Sequence, residues 1–193
     1  MKRICVFCGS SDGANGLYTQ AAQQLGAVLA HQGITLVYGG GHVGLMGAVA
    51  DATLAHGGEV IGVIPQALMD KELAHRSLTE LYVTGSMHER KAMMTELSDG
   101  FIALPGGFGT YDELCEIVTW AQLGFHRKPI GLLNIAGFYD GLLTFFNHAT
   151  HEGFIRDQHR GMIQISDNSA DLLDTLADYQ PTYVQKWVSL EEL

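Results

Sequence analysis

Residues 101–113 read FIALPGGFGTYDE, and this stretch decides the fold class. Four apolar residues of strand length run into a glycine-rich turn, and a segment of helical period follows directly. A buried strand that passes through glycines into a helix leaves backbone N–H groups at the helix start, where an anion can bind. Glu113 follows one turn into this helix, whereas simple phosphate-binding turns carry Lys, Ser or Thr at the helix start. We therefore predict a phosphate site with a carboxylate beside it, which indicates chemistry beyond binding.

The rest of the chain repeats this alternation of short apolar runs and segments of helical period. The predicted strands are residues 4–7, 34–38, 60–64, 81–83, 101–104, 130–134 and 162–165. Short apolar runs separated by helices predict a parallel sheet that helices cover on both faces. At 193 residues the chain suits a single domain, residues 1–193, of the α/β class.

Four of the predicted turns follow a strand and precede a helix, namely residues 9–11, 39–41, 87–90 and 105–109. In open parallel sheets the ligand lies beyond the carboxyl ends of the strands. Right-handed crossovers place these turns at one edge of the sheet, so we expect them to surround one site. The first of these turns, which contains Gly9 and Ser10, suits hydrogen bonds to a ligand.

A second glycine-rich segment, residues 39–47 (GGGHVGLMG), partly matches a dinucleotide-binding motif. That motif follows the first strand of such a sheet, and it needs an acid at the end of the next strand to hold the ribose. Here the next strand ends at Pro65 without an acid. We expect instead a tight turn that lets a helix pack closely on a strand. A role in shaping a mononucleotide pocket stays open.

Glu113 also fits a purely structural interpretation. Thr110 and Glu113 have the spacing of a capping box, in which the Thr side chain caps the helix and stabilises it by ~1 kcal/mol. We expect a functional role as well, because the preceding glycines would hold the helix start open for a phosphate.

Arg90 and Lys91 lie at another predicted helix start, where cations oppose the helix dipole. The planar fork of Arg90 could hold a phosphate or orient Glu113.

The composition argues against several function classes. The chain has 11 Lys and Arg residues against 21 Asp and Glu residues, so nucleic acid is not an expected partner. It has neither an apolar run of the ~20 residues that a membrane span needs nor an export signal. We therefore expect a cytoplasmic protein without a membrane partner. The His and Cys residues do not have the spacing of metal ligands, so we expect no bound metal. Cys5 and Cys8 fit a buried strand better than a redox pair.

Two long motifs, MHERK at residues 87–91 and PGGFGTYDE at residues 105–113, resemble the paired signature of the LONELY GUY family. Its members are cytokinin riboside 5′-monophosphate phosphoribohydrolases, and the likeness covers about residues 4–165. The resemblance implies a Rossmann-like, doubly wound sheet and a homodimer with its sites near the subunit interface. It also implies hydrolysis of the N-glycosidic bond of adenosine 5′-monophosphate, N6-modified or not. The products would be free base, cytokinin or adenine, and ribose 5-phosphate, and no cofactor is implied.

The resemblance further implies which residues act. Arg90 and Glu113 match the catalytic pair of the family. The implied substrate contacts are Gly9, Ser10, Glu72, Lys91, Gly106, Gly107, Phe108, Gly109, Thr110, Tyr111, Asp112 and Thr119. Tyr111 and Asp112 stand where many members of the family have Leu and Glu. Both lie in the variable pair of the motif, so the difference concerns which side chains are preferred there and not whether the protein is active.

Two other function classes stay open at this point. The same fold and phosphate site could serve a non-catalytic carrier of a nucleotide or of the molybdenum cofactor. Such a carrier would not need both Arg90 and Glu113. Amino-acid decarboxylation would need a lysine bound to pyridoxal phosphate, and the lysines of this chain lie in no recognisable motif for that cofactor.

Overall fold

The computed structural model describes residues 1–69 and 74–181, which form one seven-stranded sheet with helices on both faces. The strands are β1 (Arg3–Phe7), β2 (Thr35–Tyr38), β3 (Val60–Pro65), β4 (Glu80–Thr84), β5 (Gly100–Ala103), β6 (Ile130–Leu133) and β7 (Ile163–Ser166). The helices are α1 (Gly16–His31), α2 (Gly44–Ala55), α3 (Gln66–Met69), α4 (Met87–Leu97), α5 (Phe108–Leu123), α6 (Asp140–His151), α7 (Asp157–Arg160) and α8 (Ser169–Ala177). The seven predicted strands are confirmed, with ends that move by at most one residue. No helix in the described ranges combines the length and the hydropathy that a membrane span requires.

The strand order is β4-β3-β2-β1-β5-β6-β7, and every neighbouring pair is parallel. The chain runs outward from β1 to β4, returns through α4, and runs outward again from β5 to β7. This reversal makes the sheet doubly wound, as predicted, and it opens a crevice beyond the carboxyl ends of β1 and β5. At this crevice, backbone hydrogen bonds join the end of β1 to the segment that follows β5. They run from Leu104 N to Phe7 O (2.9 Å) and from Gly9 N to Pro105 O (3.0 Å).

Each face of the sheet packs on its own apolar core. One core lies under α1, α2 and α8, and the other lies under α4, α5 and α6. Cys8 belongs to the first core and Cys5 to the second, so the two side chains project to opposite faces. Burial raises the pKa of both thiols, which keeps them protonated and unreactive. The structural interpretation of these cysteines is therefore confirmed.

Helix α4 begins with a side-chain cap. Ser86 Oγ accepts a hydrogen bond from Glu89 N at 3.2 Å, and the Glu89 carboxylate accepts one from Gly85 N at 2.8 Å. This arrangement closely resembles a capping box, because a Ser and a Glu three residues apart each accept from a backbone N–H. It defines the first turn of the helix that carries Arg90.

The capping box predicted for Thr110 and Glu113 is wrong. Helix α5 already begins at Phe108, with Gly107 as its N-cap and without a side-chain cap. The extended backbone of Gly107 starts the helix, so Thr110 lies buried inside the first turn. Its side chain packs over Gly106, where a Cβ atom would overlap the Thr110 hydroxyl. Glu113 is therefore not part of the cap of α5.

Candidate active site

A cavity of about 400 Å³ lies in the crevice, beyond the carboxyl ends of β1, β2 and β3. It also borders the starts of α4 and α5. All four predicted turns contribute to its walls, through residues 8–10, 39 and 41, 87 and 90, and 107–110. The prediction that these turns meet around one site is confirmed.

Arg90 and Glu113 meet in this cavity. Arg90 Nη1 donates to Glu113 Oε1 at 2.6 Å, and only 9% and 11% of the two side-chain surfaces are exposed. Arg90 Nε donates to the backbone oxygen of Val63 at 3.1 Å. Gly39 leaves room for the guanidinium, since a Cβ atom at this position would overlap Arg90 Nη2. Helices α4 and α5 thus hold the carboxylate and the guanidinium in one arrangement.

The electrostatics of this pair suit acid–base chemistry. Burial raises the pKa of Glu113 above its usual value of 4.5, and the charge of Arg90 offsets this effect only in part. The positive charge of Arg90 and its hydrogen bond favour the ionised form of Glu113. A buried carboxylate fixed in this way can act as a general base or stabilise a developing positive charge. Within residues 1–69 and 74–181, no group of three or more His, Cys, Asp or Glu side chains is placed to hold a metal ion.

The start of α5 suits an anion. The N–H groups of Phe108, Gly109 and Thr110 belong to the first turn, where a helix offers them no acceptor, and the helix dipole adds partial positive charge. Gly107 and Gly109 have open space where a side chain would lie, so a ligand can approach the backbone closely. Phe108 also lines the cavity, and it is 92% exposed. This geometry is suited to a phosphate.

The cavity also has an apolar wall that the sequence did not reveal. Its apolar side chains are those of Cys8, Val43, Met46, Ile64, Leu68 and Met87. An apolar residue at helical or strand spacing looks the same in sequence whether it faces the core or a cavity. Met87 lies in one of the four predicted turns, but no local signal could have identified the other five residues as site residues.

Three implied substrate contacts have partners outside the cavity. Lys91 Nζ donates to Asp112 at 3.1 Å and to Glu116 at 2.9 Å, across the surfaces of α4 and α5. Burial acts to lower the pKa of Lys91, but the hydrogen bonds to the two carboxylates outweigh it and raise the pKa. The Tyr111 ring packs edge-on against Tyr139, with ring centres 6.5 Å apart. The structure does not place Lys91, Tyr111 or Asp112 on the cavity wall.

Two more implied contacts line other cavities, and one lies outside the described residues. Thr119 donates its hydroxyl to Cys115 O at 2.7 Å and lines a cavity of about 210 Å³ between α5, α6 and α7. Gly106 lines a cavity of about 300 Å³ that shares Gly107 with the first cavity. Glu72 falls outside the described residues. In one chain, Thr119 and the pair of Arg90 and Glu113 therefore belong to different cavities.

Comparison with known proteins identifies the family. A family model described as "Possible lysine decarboxylase" matches residues 46–176. A "probable cytokinin riboside 5′-monophosphate phosphoribohydrolase" from Oryza sativa subsp. japonica is 52% identical over 180 residues, which are 93% of this chain and 73% of that protein. A cytokinin riboside 5′-monophosphate phosphoribohydrolase from Arabidopsis thaliana is 51% identical over 182 residues, 94% of this chain and 84% of that protein. This chain belongs to the LONELY GUY family. The expectation from the two motifs is confirmed.

Solved structures share the architecture of this LONELY GUY chain. A molybdenum cofactor binding protein from the phototrophic bacterium Rippkaea orientalis has a TM-score of 0.70 and 22% identity, over 92% of this chain and 96% of that chain. The molybdenum cofactor carrier protein of Chlamydomonas reinhardtii has a TM-score of 0.69 and 21% identity, over 91% of this chain and 96% of that chain. At this level of identity the likeness shows the fold alone.

We expect Gly39→Ala to destabilise the protein by ~1–3 kcal/mol, because the new Cβ atom overlaps the buried guanidinium of Arg90. Gly16→Ala is the matched control, since a Cβ atom there meets no atom within 4 Å. Urea denaturation followed by circular dichroism measures the free energy of unfolding of both variants. Equal values would show that Arg90 does not depend on the space at Gly39.

Proposed function

We propose that this LONELY GUY chain hydrolyses the N-glycosidic bond of cytokinin riboside 5′-monophosphates, which are N6-modified adenosine 5′-monophosphates. The products are the free base and ribose 5-phosphate. The observation that carries the proposal is the buried pair of Arg90 and Glu113, 2.6 Å apart, in a cavity that also contains a helix start suited to phosphate. Relatives about 50% identical over most of the chain carry this activity in their names.

The proposed mechanism follows from the charge that develops in the reaction. Cleavage of an N-glycosidic bond passes through an oxocarbenium-like state, in which positive charge builds up at C1′ of the ribose as the base departs. Ionised Glu113 faces the ribose and stabilises this charge. It also orients a water molecule, whose oxygen bonds to C1′ as the bond to the base breaks and whose proton passes to Glu113. The base leaves with the electron pair of the broken bond and takes up a proton from the solvent. Arg90 orients the carboxylate and contacts the substrate.

The phosphate and the base of the substrate contact different surfaces of the cavity. The first-turn N–H groups of α5 hold the 5′-phosphate, which fixes the ribose beside Glu113. Met46, Leu68 and Met87 supply an apolar and adaptable wall for the purine and its N6 substituent. The remote phosphate contacts thus contribute binding energy that positions the reacting C1′ atom.

We expect Glu113→Gln to retain nucleotide binding but to lose turnover by ~100-fold or more, which is the usual scale for one general base. The amide keeps the shape of the side chain but cannot accept the proton. Release of free base and ribose 5-phosphate from adenosine 5′-monophosphate and from isopentenyladenosine 5′-monophosphate measures the effect. Glu152→Gln, an exposed acid at the end of α6, is the control.

Wild-type turnover in Glu113→Gln would remove Glu113 from the proposed mechanism. The alternative of a non-catalytic carrier is tested by the same assay of the wild-type protein. A protein that binds these nucleotides but releases no base from either of them would favour the carrier. Release of base by the wild-type protein excludes it.

The pH dependence of kcat/KM tests the protonation state of Glu113. The proposed base acts in its ionised form, and burial raises its pKa above 4.5. We therefore expect kcat/KM to fall as the pH drops through an apparent pKa above 4.5. At pH values above this pKa Glu113 is ionised, so its titration no longer changes kcat/KM. Residual activity of Glu113→Gln should lack this acid limb. An acid limb that persists unchanged in the variant would assign it to another group.

We further propose a homodimer whose active sites lie near the subunit interface. Thr119 is an implied substrate contact, yet it lines a different cavity from the catalytic pair of its own chain. A second copy that covers this region would bring its Thr119 to the first copy's substrate. Phe145 and Phe154, which neighbour residues of the second cavity in sequence, are 62% and 85% exposed and supply apolar surface for such a contact.

Coexpression of two inactive variants tests this arrangement. Thr119→Glu replaces the hydroxyl with a larger, negatively charged group, and we expect it to inactivate the site to which Thr119 contributes. A mixed dimer of Glu113→Gln and Thr119→Glu contains one site with both native residues, so random pairing should restore about a quarter of wild-type activity. Mixing Glu113→Gln with Arg90→Gln is the control, because both residues belong to one cavity and no intact site can form. Failure of the first mixture to recover activity would contradict a site that is shared between two subunits, and a fully active Thr119→Glu would place Thr119 outside the site.

A further inference from the structure

Residues 74–77, here called the strap, lie against the glycine turn that follows β2. The backbone nitrogen of His75 donates to Gly40 O at 2.9 Å, and Ala74 pairs with Gly41 in an antiparallel bridge. Gly40 has a φ of 74°, in the left-handed region that side-chain-bearing residues rarely adopt. Main-chain bonds thus join the strap to a turn whose conformation requires glycine.

The side chain of His75 fastens the strap to α2. It is buried, with 8% of the residue exposed, and its Nε2 lies 2.9 Å from Oδ1 of Asp51. Ser77 N lies 3.2 Å from His75 Nδ1 and can only donate, so Nδ1 carries the lone pair. Nε2 must then carry the proton that is donated to Asp51. The geometry assigns one tautomer, and both ring nitrogens of His75 are used.

The turn that the strap holds is a wall of the candidate active site. Gly39 and Gly41 line the cavity, and Gly39 lies directly against the guanidinium of Arg90. Gly40, which lies between them, is the residue that accepts from His75. The strap therefore binds the same three-residue turn that supports Arg90.

We propose that His75, oriented by Asp51, is a positioning residue for the active site. It keeps the strap closed on residues 39–41 and so fixes the wall that supports Arg90 and the bound nucleotide. His75 contacts no reacting atom in this scheme, and the kinetic form of the proposal rests on the proposed hydrolase function. Glu113 and the backbone oxygen of Val63 also hold Arg90, so a looser wall acts mainly on the bound nucleotide. Its loosening therefore raises KM more than it lowers kcat.

Paired substitutions at both ends of the contact test the proposal. His75→Ala and Asp51→Leu each remove the hydrogen bond, whereas His75→Gln retains a donor toward Asp51 and Asp51→Asn retains an acceptor. We expect the first two to raise KM for isopentenyladenosine 5′-monophosphate by about tenfold, with kcat within about threefold of wild type. The two conservative variants should recover most of the change. His56→Ala is the matched control, an exposed histidine that bonds Ala52 O at 2.8 Å at the end of α2.

Two further measurements separate positioning from mere stabilisation. Hydrogen–deuterium exchange of peptides that cover residues 39–41 and 74–77 should accelerate in His75→Ala and not in His56→Ala. Calorimetry gives the Kd for adenosine 5′-monophosphate, which should rise in parallel with KM. Faster exchange with unchanged KM and Kd would make the contact purely structural, and unchanged exchange would show that His75 does not hold the strap. Either result overturns the proposal.

Failure of the proposed function is distinguishable from failure of this inference. A wild-type protein that binds adenosine 5′-monophosphate without hydrolysing any nucleotide refutes the hydrolase, but the Kd of His75→Ala still tests the strap. A tenfold weaker Kd then supports it, and an unchanged Kd overturns it. A wild-type protein that neither binds nor hydrolyses these nucleotides overturns both proposals.

Discussion

The buried contact between Arg90 and Glu113 is the interaction on which the rest of the site depends. An unpaired charge in a cavity of this kind would strongly destabilise the fold, so each side chain needs the other. Their helices meet because the strand order reverses between β1 and β5. Gly39 leaves space for the guanidinium, and the backbone oxygen of Val63 accepts from it. The glycine turn, the end of β3 and two helix starts are thereby fixed around one ion pair.

Much of the fold could be predicted because the information is local. Each strand is a short apolar run that ends at glycine, proline or polar residues, and the positive φ of Gly33 explains why α1 ends where it does. The clustering of the four turns follows from the handedness of crossovers, which needs no side-chain detail. Glu113 could be singled out as well, because an acid is unusual beside a phosphate-binding turn.

The features that the sequence did not predict depend on tertiary contacts, which leave no local signal in the sequence. Ser86 and Glu89 have the same spacing as Thr110 and Glu113, yet only the first pair caps a helix. The difference arises because Gly107 can begin α5 without a side chain, which leaves Thr110 inside the helix. His75 and its carboxylate partner are 24 residues apart in sequence, so only the packed structure joins them. The apolar cavity wall is hidden for the same reason.

The positions of Arg90 and Glu113 in the chain have a consequence for how the proposed active site forms during folding. Arg90 lies on α4, the crossover that links the two halves of the sheet, whereas Glu113 lies on the first helix of the second half. A chain that has assembled only β1 to β4 carries Arg90 without its carboxylate. Because the ion pair forms only when the second half has docked on the first, it couples their folding, and the proposed activity would report that docking.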